Sequence, residues 1–378
     1  MNRKVLRKVT IFQPRVPKYR ASFFAKLKQV GVNSGIEYHI VAPFDVNDFR
    51  LDEDFLNINV ERIKTFKLKI LKSEIHVYNL RKAFNKSNLV ITEHALHDFI
   101  ALSRLIKSQS VPLALWGHGR TFTEKSSFGK ELLKKRMIRQ SDWYFAYTRG
   151  VADYVSKVQN SSEKVTILNN SNDVFEIESS LKNLQTTSTE SIRKSLGLFS
   201  DNTAVFIGAL DDSKRINFIL ESFRRIKSEI PDFELAVCGK GPELDKFLEL
   251  ENLGIHYLGY ADSILKAKLS RIGLFILNPG RVGLLAVDSF CLSLPIITTD
   301  WEFHAPEFEY LENSKTAIIT KNSVEEYASG IVDYVNNQEL IKSMKKNCFN
   351  NSSSYSIDKM VENFHQGVED FFRELDRA

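Results

Sequence analysis

Short apolar runs alternate along this chain with longer stretches in which apolar residues recur every three or four positions. Val9-Thr10-Ile11-Phe12 is the first run, followed by 36–42, 89–92, 113–116, 143–146 and 165–168. Such runs read as strands covered on both faces, and the three-to-four repeat as helices. Helices are predicted over 21–30, 99–108, 126–140 and 150–158. A second series opens at Ala204 to Gly208. It predicts strands over 233–238, 255–258, 274–277 and 296–299, with helices over 216–230, 242–250, 264–272 and 282–293. Helices over 324–336, 339–347 and 356–375 close the chain. Between the two series, Ser179 to Ser191 is rich in Ser, Thr, Asn and Gln and has little to bury, so it reads as a loop. Strands alternating with helices predict an α/β chain built on doubly wound parallel sheets. Two series predict two Rossmann-like domains, 1–172 and 173–355, facing across a cleft, with 356–378 a helix packing back on the first.

The stretch Leu274 to Asp300 is the most informative. A strand ends at the breakers Asn278-Pro279-Gly280, a helix follows, and Pro295 stops it before the β-branched Ile296-Ile297-Thr298-Thr299. Such a unit sets its loop and helix start at the carboxyl edge of the sheet, where anions bind. Gly280 and Gly283 leave room for a ligand to approach the backbone. Asp288 lies in the first two helical turns, where a carboxylate can reach a ligand hydroxyl.

Other turns fall at the same kind of edge. Lys214 follows the strand 204–208 and is placed to hold phosphate, although alone it reads as an exposed loop lysine. Asp211-Asp212 reads as a solvated pair, not a metal site. Gly239-Lys240-Gly241-Pro242-Glu243 lacks the third glycine of a dinucleotide fingerprint and in isolation is only a strand–helix turn. In the first half, His118 stands between Gly117 and Gly119 at a strand end, its ring free to meet a ligand. Arg15, Tyr19, Arg20 and Arg120 are candidate contacts to an anionic group, and His94 ends another strand of that half.

Charge divides the chain. Residues 1–150 hold 28 Lys and Arg against 13 Asp and Glu, a balance of +15, and the remainder balances at −10. The basic half suits an anionic substrate or membrane surface. Lys130, Lys134, Lys135, Arg136 and Arg139 crowd one predicted helix. No nucleic-acid module is visible. No apolar run approaches the ~20 residues of a membrane span, and the basic start is followed by no secretory apolar core. Cys238, Cys291 and Cys348 show no metal spacing and fit a reducing cytoplasm.

Taken together, the turns resemble those of GT-B glycosyltransferases, in particular the family-4 retaining enzymes. Phe206-Ile207-Gly208-Ala209-Leu210 with Lys214 resembles the phosphate-binding basic loop, and Val237 to Glu243 the turn beside the nucleotide base. Asn278 to Asp288, followed by Leu294-Pro295-Ile296-Ile297, resembles the glycine loop and acid-bearing helix. Pro306-Glu307-Phe308-Glu309 and Leu115 to Arg120 resemble segments of bacterial surface-polysaccharide members.

The resemblance implies retaining transfer of a sugar from a UDP- or GDP-linked donor to a lipid-linked or saccharide acceptor, with no metal or other cofactor. It implies Lys214 on the diphosphate, Asp288 on the ribose and His118 on the donor sugar. Gly208, Arg215, Gly239, Gly241, Glu243, Gly280, Arg281, Val282, Gly283 and Leu284 would line the donor site. Arg15, Tyr19, Arg20, His94 and Arg120 fall on the acceptor side. Two positions depart from the family pattern. Ala209 stands where an arginine is usual, and Gly280 where a glutamate is usual, eight residues before the second acid. Arg215 or Arg281 could supply the missing positive charge. The departures also motivate a second expectation, an inactive partner subunit, and a nucleotide-sugar epimerase of the same fold is a third.

Overall fold

The computed structural model describes residues 6–13, 17–44, 58–70, 73–78, 84, 86–106, 110–122 and 125–377. Arg15 lies outside the described residues. The chain forms two compact units. The first comprises 1–173 with 357–378, and the second 174–356.

Unit 1 is built on strands β1 (Arg7–Phe12), β2 (Ile36–Phe44), β3 (Glu61–Ile70), β4 (Ser73–Tyr78), β5 (Leu89–Glu93), β6 (Leu113–Gly117), β7 (Trp143–Ala146) and β8 (Val165–Ile167). Their order is β4-β3-β2-β1-β5-β6-β7-β8. All neighbours are parallel except β3 and β4, an antiparallel hairpin at one edge. The apolar-run reading missed this hairpin, because Phe66-Lys67-Leu68-Lys69-Ile70 alternates apolar and charged residues and offers no continuous apolar run. Helices α1 (Ala21–Ser34), α2 (Phe99–Ile106), α3 (Phe128–Gln140) and α4 (Arg149–Gln159) connect the strands.

One face of this sheet is covered by α1 together with the last helix of the chain, α13 (Ile357–Leu375). That helix presents Met360, Phe364, Val368 and Phe371 to Phe23, Trp116 and Phe145. Phe364 stacks on Phe145 with ring centroids 4.5 Å apart and meets Trp116 edge-on at 5.2 Å. Gly367 lies so close to Thr166 and Phe145 that a Cβ there would collide with both. Tyr38 pairs its hydroxyl with His365 Nδ1 at 2.7 Å. The opposite face packs against α2, α3 and α4.

Unit 2 carries a second parallel sheet, ordered β11-β10-β9-β12-β13-β14. Its strands are β9 (Thr203–Ile207), β10 (Glu234–Cys238), β11 (Ile255–Tyr257), β12 (Ile276–Leu277), β13 (Ile296–Thr299) and β14 (Ala317–Thr320). Helices α5 (Phe175–Asn183), α6 (Thr189–Leu196), α9 (Ser263–Ile272) and α10 (Leu285–Cys291) cover one face. The other is covered by α7 (Ile216–Glu229), α8 (Leu244–Leu248), α11 (Val324–Val335) and α12 (Gln338–Asn351). The stretch 179–191, expected as a loop, contributes to α5 and α6 instead. Ser188 caps α6 by accepting from Ser191 N, and Ile177 and Ile192 are buried against the sheet. One anchoring residue per short helix is too little for a periodicity reading to find. Both sheets are doubly wound, as the alternation predicts.

Candidate functional site

The turns that follow β9, β10, β12 and β13 meet at the carboxyl edge of the unit 2 sheet. Asp211 caps a short turn over Asp212–Lys214, accepting from Ser213 N at 3.0 Å and from Ser213 Oγ at 2.6 Å. That role accounts for the acid without a metal. Lys214 then lies across Gly208, where an added Cβ would stand 3.0 Å from Lys214 Cε. Its ammonium donates to the carbonyl of Arg281 at 2.5 Å. Burial lowers the Lys214 pKa to about 8, with Asp211 opposing and Arg281 adding to the fall.

The β9 and β12 turns are sewn together by backbone. Arg281 N donates to Ser213 O at 2.8 Å. Arg215, in a left-handed conformation at φ 58°, donates to Pro279 O at 3.0 Å and to Thr299 Oγ1 at 3.2 Å. Gly280 is buried beneath this joint, and a Cβ there would lie 2.5 Å from Ser213 O and 2.6 Å from Lys214 Cα. The expectation that Gly280 opens the backbone to a ligand is therefore corrected. A neighbouring loop occupies that space, and no side chain fits, acidic or otherwise. Val282 is buried too, whereas Gly283 and Leu284 keep partial exposure at the start of α10.

His304 and Glu307, to which sequence reading gave no role, support the same loop. His304 Nδ1 accepts from Val282 N at 3.1 Å, Nε2 donates to Thr299 O at 2.9 Å, and the ring stacks on Phe308 at 4.0 Å. Burial, with Lys214, Arg215 and Arg281 nearby, drives its pKa down to about 4, against the hydrogen bond to Thr299. It is a neutral strut under the glycine loop. Glu307 is buried with a carboxylate oxygen 4.0 Å from where a Cβ of Gly283 would stand. Asp288, on α10, is held by a partner that the sequence did not suggest. Lys266 of α9 meets its Oδ2 at 2.6 Å, and both side chains are largely buried. Since the two are 22 residues apart, no local spacing announces the pair.

At the β10 turn, a Cβ on Gly239 would run into the carbonyl of Gly208, and one on Gly241 into that of Leu210. These glycines let the turns after β9 and β10 pack directly against each other. Glu243 is paired with Lys246 at 2.7 Å.

In unit 1, His118 follows β6 half-buried, its ring edge-on to Tyr147 at 4.6 Å. Burial, Lys134 and Arg20 lower its pKa to about 4, so it is a neutral imidazole near neutrality. His94 has both nitrogens committed, Nδ1 to Tyr144 Oη at 2.9 Å and Nε2 to Lys134 O at 3.2 Å. Tyr144 Oη also accepts from Gly119 N. The ring thus ties α3 to the sheet, which corrects the expectation of a ligand contact. Arg20 is corrected likewise. It is 3% exposed, bonded to Asn170 Oδ1 and Ser171 O, and lies over the rings of Trp116 and Tyr19. Tyr19 and Arg120 are exposed.

Among the described residues no group of three or more His, Cys, Asp or Glu is arranged to hold a metal ion, and no helix is long and apolar enough to cross a membrane.

Comparison with known proteins agrees with this geometry. Residues 188–350 match the family described as "Glycosyl transferases group 1". Two uncharacterized glycosyltransferases of Methanocaldococcus jannaschii are similar. One is 26% identical over 253 residues, 61% of this chain and 60% of that protein; the other is 22% identical over 90% of each. Anabaena HepE, solved in complex with UDP, superposes with a TM-score of 0.70 over 96% of this chain and 99% of its own, at 12% identity. A glycosyltransferase from Rickettsia africae superposes with a TM-score of 0.69 over 98% and 99%, at 14% identity. Likeness at such identities shows the fold. Residues 188–350 are thus similar to the group 1 glycosyl transferases, and the two Rossmann-like units share the fold of these glycosyltransferase structures.

Proposed function

We propose that the protein transfers a sugar, with retention of configuration, from a UDP- or GDP-linked donor to a lipid-linked or saccharide acceptor. The process served is bacterial surface polysaccharide synthesis: lipopolysaccharide, O-antigen or capsule. No metal ion or other cofactor enters this reading. The observation that carries it is the convergence of Lys214, Arg215 and Arg281 on the turns around the start of α10. A departing nucleoside diphosphate is an anion, and preset positive charge with aligned amides at Gly283 and Leu284 stabilises it as the glycosidic bond breaks. Asp288, steadied by Lys266, is assigned the ribose, and His118 the donor sugar. Tyr19 and Arg120 are assigned to the acceptor side.

The test is nucleotide release from UDP- and GDP-sugars in the presence of membrane extract. Lys214→Ala should lower the rate by about 100-fold, the scale for removing one charged group from a developing anion. Release equal to wild type would remove the lysine from this role.

A second reading rests on Gly280. A side chain there has no space, so the usual sugar-hydroxyl contact is missing from that position, which favours a binding subunit without turnover. Calorimetry separates the two: a pure partner subunit that has lost the site binds neither UDP nor GDP. Conversion of a nucleotide-sugar with no acceptor present would point to an epimerase.

The reading extends to location at the inner face of the cell membrane. On α3, Phe128 and Leu132 are 84% and 52% exposed, among Lys130, Arg136 and Arg139. Apolar residues interleaved with cations suit an anionic lipid surface.

A further inference from the structure

A pocket of about 360 Å³ opens within unit 1 at the carboxyl ends of β5 and β6. It falls in the size range of small-ligand sites. Its walls include Glu93, His118, Arg120, Thr121, Lys130 and Lys134. Three cations face one carboxylate there. A second carboxylate, Glu131, is held behind the wall by hydrogen bonds from Thr121 and Ser126. Lys134 reaches across the wall to Thr121 Oγ1 at 2.8 Å, which holds its ammonium at the pocket edge. Lys130 and Arg120 are exposed, and Arg120 lies over the Phe122 ring at 4.7 Å.

The walls also take in Ala95 and Leu96 of the turn after β5, and Ser126 just before α3. The depressed basicity of His118 has nearby cations as its origin after burial, since Lys134 and Arg20 both oppose its protonation. A concave, cationic site with a neutral imidazole at its rim is complementary to a compact multivalent anion with hydroxyls attached.

We propose that this pocket seats a phosphoryl or pyrophosphoryl group of the acceptor, held by Arg120, Lys130 and Lys134 beside His118. The assignment deepens the transferase reading and rests on it for the word acceptor; the anion site itself stands on the pocket alone. The phosphoryl group could belong to a soluble sugar phosphate or to a lipid carrier, and the two present the same chemistry.

Calorimetry on the full chain, saturated with UDP to fill any donor site, tests the proposal with inorganic pyrophosphate as probe. Wild type should bind it. The Arg120→Met/Lys130→Met variant should bind it about tenfold or more weakly with UDP affinity unchanged, and Arg120→Lys/Lys130→Arg should recover most of the loss. Equal pyrophosphate affinity in wild type and the Met variant, or no binding by wild type, overturns the site. If UDP does not bind, the donor reading fails, yet the pyrophosphate comparison still decides the pocket. A vesicle arm separates the sources. Pyrophosphate that displaces wild type from phosphatidylglycerol vesicles, with displacement lost in the Met variant, assigns the group to a lipid. Pyrophosphate binding that depends on Arg120 and Lys130 while vesicle binding does not assigns it to a soluble acceptor.

Discussion

Lys214 illustrates how one residue's chemistry depends on its neighbours. In the proposed reading its charge meets a diphosphate, yet its burial against the Arg281 carbonyl brings its pKa down to about 8. The sign follows directly. Below pH 8 the free protein carries the ammonium; above it the lysine is neutral, and a diphosphate must recapture a proton on binding. Calorimetric Kd for UDP should therefore rise between pH 7 and pH 9, approaching tenfold per unit above the midpoint. Lys214→Arg, charged throughout this range, should flatten the profile. A flat profile in wild type would show that this ammonium is not part of the binding reaction. The places of Lys214, His118 and Asp288 in the fold were legible in the sequence, because each stands after a strand or early in a helix. Their partners were not. Lys266 and His304 act through contacts made across the fold, and Arg20 and His94 look like surface candidates until the structure buries them.

At the scale of the elements, α3 combines two duties. Met137 and Ile138 face the sheet, while Phe128, Leu132, Arg136 and Arg139 face outward. Replacing Phe128 and Leu132 with Ser should leave the fold intact, since neither is buried, and lower co-sedimentation with phosphatidylglycerol vesicles several-fold. Full burial of such a side chain is worth about 1.5–3 kcal/mol, so insertion of even a small part of each changes binding several-fold. The remaining binding should fall as salt rises. Equal sedimentation by the double variant, or wild-type binding to neutral vesicles, would remove the membrane assignment from this helix. Most elements could be read from the chain because buried parallel strands are continuous apolar runs. The exceptions share a cause. The β3–β4 hairpin lies at a sheet edge, and α5 and α6 are short with few anchors, so neither gives a strong period.

At the scale of the whole chain, the last helix belongs to the first unit. Its apolar face fills one side of the unit 1 sheet, and Phe364 alone contacts Phe23, Tyr38, Trp116 and Phe145. Phe364→Ala should destabilise unit 1 by about 3–5 kcal/mol. Ending the chain at Tyr355 should unfold that unit while the second keeps its own transition. Calorimetric scans would show one lowered or lost transition beside one unchanged. A truncated chain that retained both would contradict the packing described. The helix was foreseeable from its long amphipathic repeat, because a stripe of that length must find an apolar partner.

A ribosome emits this chain from its amino end. The strands of the first unit are made early, but their missing layer emerges only after all of the second unit. For that interval the part of that face around Trp143 and Phe145, which α1 leaves to the last helix, is without its cover. A message cut short anywhere in its last part therefore yields a molecule whose earliest-made half is the unfinished one.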